Sequence, residues 1–402
     1  PRHNGAMNSP ASGIAYFART NVRQPYRPVG IREADRLSHI YVIGKTGTGK
    51  STLLETLIRQ DLVRGRGFAL IDPHGDLADR VAAAAVSASR KDFLSIDVAD
   101  PDQPYGYNPL RHVRQDRRPL AASGMLEVMK KMWPDAWGAR MEHILRYALL
   151  ALLDCPAATF PDILRLLTDR AFRQEVIGHG SNEQVRTFWA EEYRGYSPRY
   201  RQDSIAPIQN RVGAFLADPR LKRFLTGPEE QLRFRDIMDG GKALAINLAK
   251  GRLGEDSSNL LGGLLVTTLG LAAFSRADTQ EQDRRPFVIY VDEFQNFTTL
   301  AVANMLAELR KYRVCAVLAH QYLDQIEPDV RHAVLGNAGT VVSFRLGGRD
   351  APHLAREFAP VFDAEDLVSL PNHEIYLRLM IDGAPSRPFS AATIRPEEVL
   401  HP

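Results

Sequence analysis

The chain has 402 residues, of which 44% are hydrophobic and 25% are charged, as in an ordinary globular protein with room for two or three domains. The net charge of +3 is too small to indicate nucleic-acid binding by itself, so a DNA-binding surface would need local clusters of cations. Cys155 and Cys315 lie far apart, which excludes a disulfide framework and a cysteine-rich metal site and suits a reducing cytoplasm.

The amino-terminal region contains two different patterns. Residues 1–36 are rich in Pro, Gly, Asn and Arg, and we expect an N-terminal arm there. From His39 onwards, apolar strand patterns (HIYVI, GFALID, FLSID) alternate with helical patterns (KSTLLETLIRQDLV, DLADRVAAAAV). This alternation predicts an α/β fold with mostly parallel strands joined by helical crossovers.

The periodicity becomes helical at about residue 106 and stays so for about 130 residues, and strand patterns return at GKALAINL. We therefore predict an α/β domain in two parts, residues 37–105 and 241–402, with an all-α domain inserted at residues 106–240. Residues 260–274 (LLGGLLVTTLGLAAF) are too short to span a membrane, and we predict a buried helix there. We expect a cytoplasmic protein, attached to the inner face of the cell membrane only through a segment outside this chain.

Residues 44–51, GKTGTGKS, match the phosphate-binding pattern G-x-x-x-x-G-K-[ST] between a predicted strand and a predicted helix. Such glycines let backbone N–H groups converge on phosphate, and the amino end of the helix adds positive potential. Lys50 would reach the β- and γ-phosphates of ATP, and Ser51 would bind Mg²⁺. The predicted nucleotide-binding residues are Gly44, Lys45, Thr46, Gly47, Thr48, Gly49, Lys50, Ser51 and Thr52.

Two acids, Asp292 and Glu293, end the strand pattern FVIYVDEF. We expect Asp292 to hold Mg²⁺ and Glu293 to act as the general base toward water, because ligands bind at the carboxyl ends of strands in α/β folds. The alternative is a pair of solvated acids that cap the next helix. P-loop GTPases and small-molecule kinases generally lack a glutamate at this position, and the sequence contains no N-K-x-D guanine-reading motif. Together these features favour ATP hydrolysis coupled to motion over signalling or phosphoryl transfer.

Other candidate residues follow the remaining strands. Gln321 ends the strand of VLAHQY and either senses the γ-phosphate or is an ordinary surface residue. Arg310 is either a finger that reaches a neighbouring subunit's nucleotide or a solvated arginine, with Arg345 and Arg349 in reserve. Asp72 either supports the magnesium site or stabilises a turn.

Together, the segments IYVIGKTGTGKST, FALIDPHGDLADRV, GYNPL, IYVDEFQNF, LAELRKYRVCAVLAHQY and VVSFRLGGRDA resemble the HerA/FtsK superfamily of DNA translocases. More narrowly, they resemble the TraG/TraD-type coupling ATPases of conjugative type IV secretion. The resemblance implies a RecA-like motor with an all-α domain, forming a homo-hexameric ring around DNA. It also implies ATP at the subunit interfaces, with Lys50, Glu293, Gln321 and Arg310 as catalytic residues.

Cations for DNA contact are sparse. Lys250 and Arg252 in LAKGRLGEDSS either grip DNA phosphates or belong to an ordinary surface loop. In EEYRGYSPRYRQ, tyrosines alternate with arginines, which suits either nucleic-acid stacking or a docking face on the helical domain. The leading hypothesis is a DNA pump that works with membrane-associated transfer proteins. The alternatives are an ATPase that energises protein secretion and a recruitment platform that couples substrates to a transfer channel.

Overall fold

The computed structural model describes residues 13–22 and 24–400, so part of the predicted arm, residues 1–12 and 23, lies outside the described residues. The described strands are β1 (Ile14–Thr20), β2 (Pro28–Arg32), β3 (Ile40–Ile43), β4 (Gly67–Asp72), β5 (Phe93–Asp97), β6 (Tyr105–Gly106), β7 (Glu230–Gln231), β8 (Ala243–Asn247), β9 (Phe287–Val291), β10 (Val314–His320), β11 (Thr340–Ser343), β12 (Glu374–Arg378), β13 (Met380–Ile381), β14 (Ala384–Pro385) and β15 (Phe389–Thr393).

Eleven of these strands form one sheet in the order β2-β1-β15-β12-β11-β3-β10-β9-β4-β8-β5. The pairs from β11 through β3, β10, β9 and β4 to β8 are parallel. At the other end, β12, β15, β1 and β2 pair antiparallel. The predicted mostly parallel central sheet is therefore confirmed.

The central strands are buried along their whole length. Every residue of β3, β4, β9 and β10 is buried, as expected for parallel strands covered by helices on both faces. Near-continuous apolar runs such as FVIYV and VCAVLAH are suited to this burial, because nearly every side chain can pack against apolar groups on either face of the sheet.

The described helices are α1 (Glu33–Arg36), α2 (Lys50–Val63), α3 (Asp76–Ser87), α4 (Arg118–Met132), α5 (Ala139–Asp154), α6 (Asp162–Thr168), α7 (Arg170–His179), α8 (Glu183–Thr187), α9 (Tyr193–Gly195), α10 (Pro198–Leu216), α11 (Pro219–Thr226), α12 (Phe234–Gly240), α13 (Lys250–Leu253), α14 (Glu255–Ser275), α15 (Leu300–Leu309), α16 (Pro328–Asn337), α17 (Ala351–Phe358), α18 (Ala364–Ser369) and α19 (Pro396–Leu400). A π-helical turn, Phe188–Glu192, joins α8 to α9.

The chain divides into two compact units. The sheet unit contains the described residues up to Ser95, Arg235–Asn247, and those from Arg276 onwards. The helical unit contains Ile96–Phe234 and Leu248–Ser275. The helical unit covers most of residues 106–240, the segment predicted as an all-α domain. It also contains the short parallel pair β6 and β7 and a second segment from later in the chain.

Two predicted boundaries are corrected. The described part of the predicted arm, residues 13–22 and 24–36, is not separate, because β1 and β2 pair with each other and β1 pairs with β15 in the main sheet. The arm prediction failed because backbone hydrogen bonds to a strand far along the chain leave no signal in a Pro- and Arg-rich sequence.

Helix α14, predicted as part of the second α/β segment, belongs to the helical unit instead. It packs on α4 so closely that a Cβ on Gly263 would lie 2.7 Å from Val128 Cγ1. Among the described residues, one helical stretch, Glu255–Asp278, is apolar and long enough to cross a membrane, but 78% of its most apolar part is buried inside the protein. The predicted buried helix at residues 260–274 is confirmed.

Candidate nucleotide-binding site

The candidate site lies in the sheet unit, at the carboxyl edge of the parallel strands. Here β3 leads into the phosphate loop and α2. Of the strands on one side of β3, β10 is followed directly by Gln321, β9 is followed directly by Asp292, and β4 ends at Asp72. Because these strands are parallel neighbours, the topology collects polar groups from distant parts of the sequence at one edge.

The phosphate loop has the backbone that its glycines predict. Gly47 and Gly49 have φ of +75° and +120°, values that side-chain-bearing residues rarely adopt. At Gly44, a Cβ would lie 2.5 Å from the Cβ of Phe344, which directly follows β11. The loop therefore depends on glycine both for its curvature and for its close approach to the neighbouring chain segment.

The side chain of Lys50, the first residue of α2, folds back over the phosphate loop. Its Nζ donates to the carbonyl oxygens of Gly44 and Lys45 at 2.6 and 3.1 Å. Burial lowers the pKa of the ammonium group, and the nearby carboxylates of Glu293 and Asp292 act in the opposite direction. The ammonium group of Lys50 therefore lies against the backbone of the phosphate loop, and its contact with phosphate stays a prediction.

Ser51 and Asp292 are brought together as predicted for a magnesium site. The Ser51 hydroxyl donates to Asp292 Oδ2 at 3.0 Å. The pKa of Asp292 is raised to about 6, mainly by burial and to a smaller extent by the negative charges of Glu293 and Asp72. Among the described residues, no group of three or more His, Cys, Asp or Glu could hold a metal by itself. Ser51 and Asp292 therefore suit a Mg²⁺ ion that takes its other ligands from phosphate and water.

Glu293 is linked to the phosphate loop through Gln321. The Gln321 amide nitrogen donates to Glu293 Oε1, and the Thr46 hydroxyl donates to Gln321 Oε1 at 2.7 Å. Glu293 itself has left-handed backbone angles of φ 48° and ψ 46°, a conformation uncommon for a residue with a side chain and often found at functional sites. Gln321 therefore lies between the phosphate loop and Glu293, and its role as a phosphate sensor stays a prediction.

Asp72 caps α3. Its Oδ2 accepts from the backbone N–H groups of Leu77 and Ala78, both at 2.9 Å, and its Oδ1 accepts from that of His74 at 3.0 Å. Of the two roles that the sequence left open, the structure places Asp72 in the turn. It still affects the site, because its charge contributes to the raised pKa of Asp292.

The segment before β12 was missed by the sequence analysis. The backbone N–H of His373 donates to the Thr48 carbonyl at 2.9 Å, and a Cβ on Gly49 would lie 2.9 Å from His373 Nδ1. Next to it, Arg345 donates to Asn372 Oδ1 at 2.8 Å. No motif marks these residues, because β12 is antiparallel to β11 and only the sheet topology brings its amino end to this edge.

Comparison with known protein families matches residues 27–266, more than half of the chain, to the family described as the central domain of the helicase HerA. The chain belongs to this HerA family. The resemblance drawn from the sequence segments is thereby confirmed at the level of the superfamily.

One curated relative and two solved structures are similar to this HerA-family chain. The type 4 coupling protein DotL of Legionella pneumophila is 21% identical over 377 residues, which cover 79% of the chain and 48% of DotL. The chain thus spans about half the length of this curated relative. The bacterial conjugative coupling protein TrwB, in an unbound form, is 18% identical with a TM-score of 0.65, covering 91% of the chain and 86% of TrwB.

VirB4 of Thermoanaerobacter pseudethanolicus is 15% identical with a TM-score of 0.65, covering 98% of the chain and 99% of VirB4. At these identities the similarity establishes the fold. The HerA-family chain has the RecA-like P-loop architecture that the sequence resemblance implied.

Arg310 lies at the opposite edge of the sheet from the phosphate loop. It is exposed, and with His39 and Gly339, which precede β3 and β11, it lines a cavity of about 390 Å³. Burial, together with the charge of Arg310, lowers the pKa of His39 to about 4.

The reserve candidate Arg345 instead lies next to the phosphate loop of its own chain, where its carbonyl accepts from the N–H of Lys45 at 2.9 Å. Arg349 is exposed a few residues beyond. The assignment of the finger to Arg310 stays a prediction.

The two candidate DNA-contacting cations are paired within the helical unit. Lys250 forms an ion pair with Glu255 at 2.7 Å, and Arg252 with Asp97. Both pairs are partly exposed, so each contributes little to stability. Their contact with DNA stays a prediction.

Two residues of the tyrosine- and arginine-rich segment have structural contacts within the helical unit. Tyr193 is fully buried and donates to the Leu167 carbonyl at 2.9 Å. Arg201 closes the following turn by donating to backbone carbonyls, including that of Tyr193 at 3.2 Å. Tyr193 and Arg201 therefore serve the packing of the helical unit.

Proposed function

We propose that this chain is the ATP-hydrolysing motor of a DNA-transfer machine, of the coupling-protein type. The observation that carries the proposal is the connection of Thr46, Gln321 and Glu293 beside the Ser51–Asp292 pair. These groups supply a metal site, a general base and a link from the base to the phosphate loop, which ATP hydrolysis requires and simple nucleotide storage does not. The names of DotL and TrwB, both coupling proteins, support the choice of process.

ATP and Mg²⁺ are the proposed cofactors. TrwB has been solved in complex with ADP and Mg²⁺ and with a non-hydrolysable ATP analogue. In this chain, Lys50 and the loop N–H groups would bind the phosphates, and Ser51 with Asp292 would hold the cation. Bound Mg²⁺ would neutralise charge on the β- and γ-phosphates. Glu293 would orient a water and accept its proton, and Gln321 would report the γ-phosphate to Glu293.

We further propose that the active form is a ring, with hexamers as the expected state. Arg310 lies at the amino edge of the sheet while the phosphate loop lies at the carboxyl edge, so Arg310 cannot serve its own nucleotide. In a head-to-tail ring each subunit would present Arg310 to the next subunit's ATP, where it would stabilise transition-state charge. DNA would pass through the ring, contacted through backbone phosphates by Lys250 and Arg252.

The test is an ATPase assay with single-stranded DNA, with duplex DNA and without DNA at low salt, combined with a mass measurement of the assembly. We expect DNA to stimulate hydrolysis, and the Glu293→Gln variant to lose about 10²–10⁴-fold in kcat. The matched control is Glu308→Gln, at a partly exposed acid paired with Lys311, which should retain activity. Hydrolysis that responds to polypeptide and not to DNA would contradict the choice of substrate, and a monomer with full activity would contradict the ring.

A further inference from the structure

Both carboxylate oxygens of Glu293 are held by glutamine amides. Gln321 donates to Oε1, and Gln295 donates from its Nε2 to Oε2 at 2.5 Å. Glu293 and Gln295 are each only 8% exposed. The proposed general base is therefore enclosed by two donors from different elements, one on the loop after β10 and one on the turn after β9.

The two glutamines differ in what else they touch. Gln321 also accepts from the Thr46 hydroxyl on the phosphate loop, so a phosphate in the loop, which is itself an acceptor, would compete with the Gln321 oxygen for that hydroxyl. Gln295 lies two residues after Glu293, in the short 3₁₀ turn Phe294–Asn296 that begins directly after Glu293. One donor is thus coupled to the nucleotide, and the other belongs to the same local structure as the base.

The backbone makes such a local support necessary. Glu293 has left-handed angles, and its N–H donates to Asp292 Oδ1 at 3.0 Å. These constraints fix the Cα position of Glu293 but not the rotation of its long side chain. A donor to one oxygen restricts that rotation and determines where the other oxygen points.

We infer that Gln295 is a positioning residue for hydrolysis. Gln295 holds Oε2 of Glu293 and thereby fixes the direction of Oε1. When the Gln321 amide turns toward a γ-phosphate, the attacking water can take its place beside Oε1. Oε1 then accepts the proton of that water. Gln321 and Gln295 together occupy both carboxylate oxygens of Glu293, so Oε1 becomes available to water only when the Gln321 amide leaves it. The inference rests on the proposed function of Glu293 in ATP hydrolysis.

The primary test is Gln295→Met, which preserves side-chain length and removes the amide donor. We expect kcat to fall about 10–100-fold, since small displacements of a catalytic group have costs of this size. The KM for ATP and the Kd of a non-hydrolysable ATP analogue should stay within about twofold, because the loss is confined to the transition state. The matched control is Gln325→Met at an exposed glutamine, for which no change is expected.

A double-mutant cycle separates positioning from simple packing. When Gln295→Met is added to Glu293→Gln, it should change the residual rate by less than about twofold, because no base remains to be positioned. Equal losses in both backgrounds, or an unchanged kcat in the single variant, would overturn the inference. If the methionine variant does not fold, Gln295→Asn decides in the same assays, since its shorter side chain withdraws the amide from Oε2. A wild-type chain that hydrolyses ATP without responding to DNA would refute the DNA motor and leave this inference standing.

Discussion

The sheet unit contains two buried groups of charges that follow opposite rules. In the first, Arg36 donates to both oxygens of Asp61 at 2.8 Å, and Tyr290 donates to Asp61 at 2.6 Å. Burial alone would raise the pKa of Asp61, but the charge and hydrogen bonds of Arg36 keep it below its usual value. Here each charge has an opposite charge within hydrogen-bond distance.

The second group is the nucleotide site, where acids are crowded together. Asp292 lies near Glu293 and Asp72, and its pKa is raised to about 6. The buried cation of the site, Lys50, donates to backbone carbonyls. The difference distinguishes a structural ion pair, which is complete within the chain, from a functional cluster, which is completed by a bound cation and phosphate.

The largest expected effect breaks the first group. Arg36→Met leaves Asp61 buried without its main partner, and we expect the free energy of unfolding to fall by about 3–5 kcal/mol. Urea unfolding measures the loss. The control is Arg32→Met, at an exposed pair with Asp382, which should cost less than about 1 kcal/mol. Equal losses in the two variants would show that burial does not distinguish these pairs.

The next effect has the opposite sign and concerns the second group. Asp292→Asn removes a charge that the fold disfavours, so we expect a gain of up to about 3 kcal/mol in unfolding free energy at pH 8 with Mg²⁺ chelated. The amide still offers an acceptor to the Glu293 N–H.

The pH dependence of this gain follows from the sign of the shift. The pKa of Asp292 is raised in the folded chain from 3.8 to about 6. Below pH 3.8 the Asp292 carboxyl is protonated in both states, so it does not destabilise the wild-type fold. Above about pH 6 it is ionised in both states and destabilises the fold fully. The stability gained by Asp292→Asn should therefore grow between these two pH values. Urea unfolding at pH 5 and pH 8 checks this. Destabilisation by Asp292→Asn at pH 8 would contradict it.

The smallest effect refines the outline of the site. The hydrolytic groups lie on the β10 and β9 side of the phosphate loop. We therefore expect the nucleoside of bound ATP to extend from the phosphates toward the β11 and β12 side, where it would contact His373. We expect His373→Ala to raise the KM for ATP on the order of tenfold with kcat retained. Inhibition by inorganic tripolyphosphate, which has no nucleoside, should not change. His332→Ala, at an exposed histidine on α16, is the control. Weakened tripolyphosphate inhibition would indicate a distorted loop.

Sequence reasoning was most successful where chemistry lies in one short stretch. Residues 44–51 and the Asp292–Glu293 pair were found because a loop of glycines, or two acids after an apolar strand, imposes its pattern locally. Sequence reasoning was less successful for Asp72. An aspartate at the end of a strand has the same local sequence whether its side chain caps the next helix or supports a metal site. Sequence reasoning missed Gln295 as a partner of Glu293, since a glutamine in a turn carries no signal about the side chain that it contacts.

The amino-acid sequence by itself determined the α/β class, the phosphate loop, the acids and the buried helix at residues 260–274, because these depend on local periodicity and residue chemistry. Only the tertiary structure decided that β1 and β2 complete the main sheet, that α14 belongs to the helical unit, and that His373 covers the loop. The physical reason is that strand pairing and helix packing join residues hundreds of positions apart. A backbone hydrogen bond or a close glycine contact requires so little of the side chains involved that their sequence does not reveal the partner.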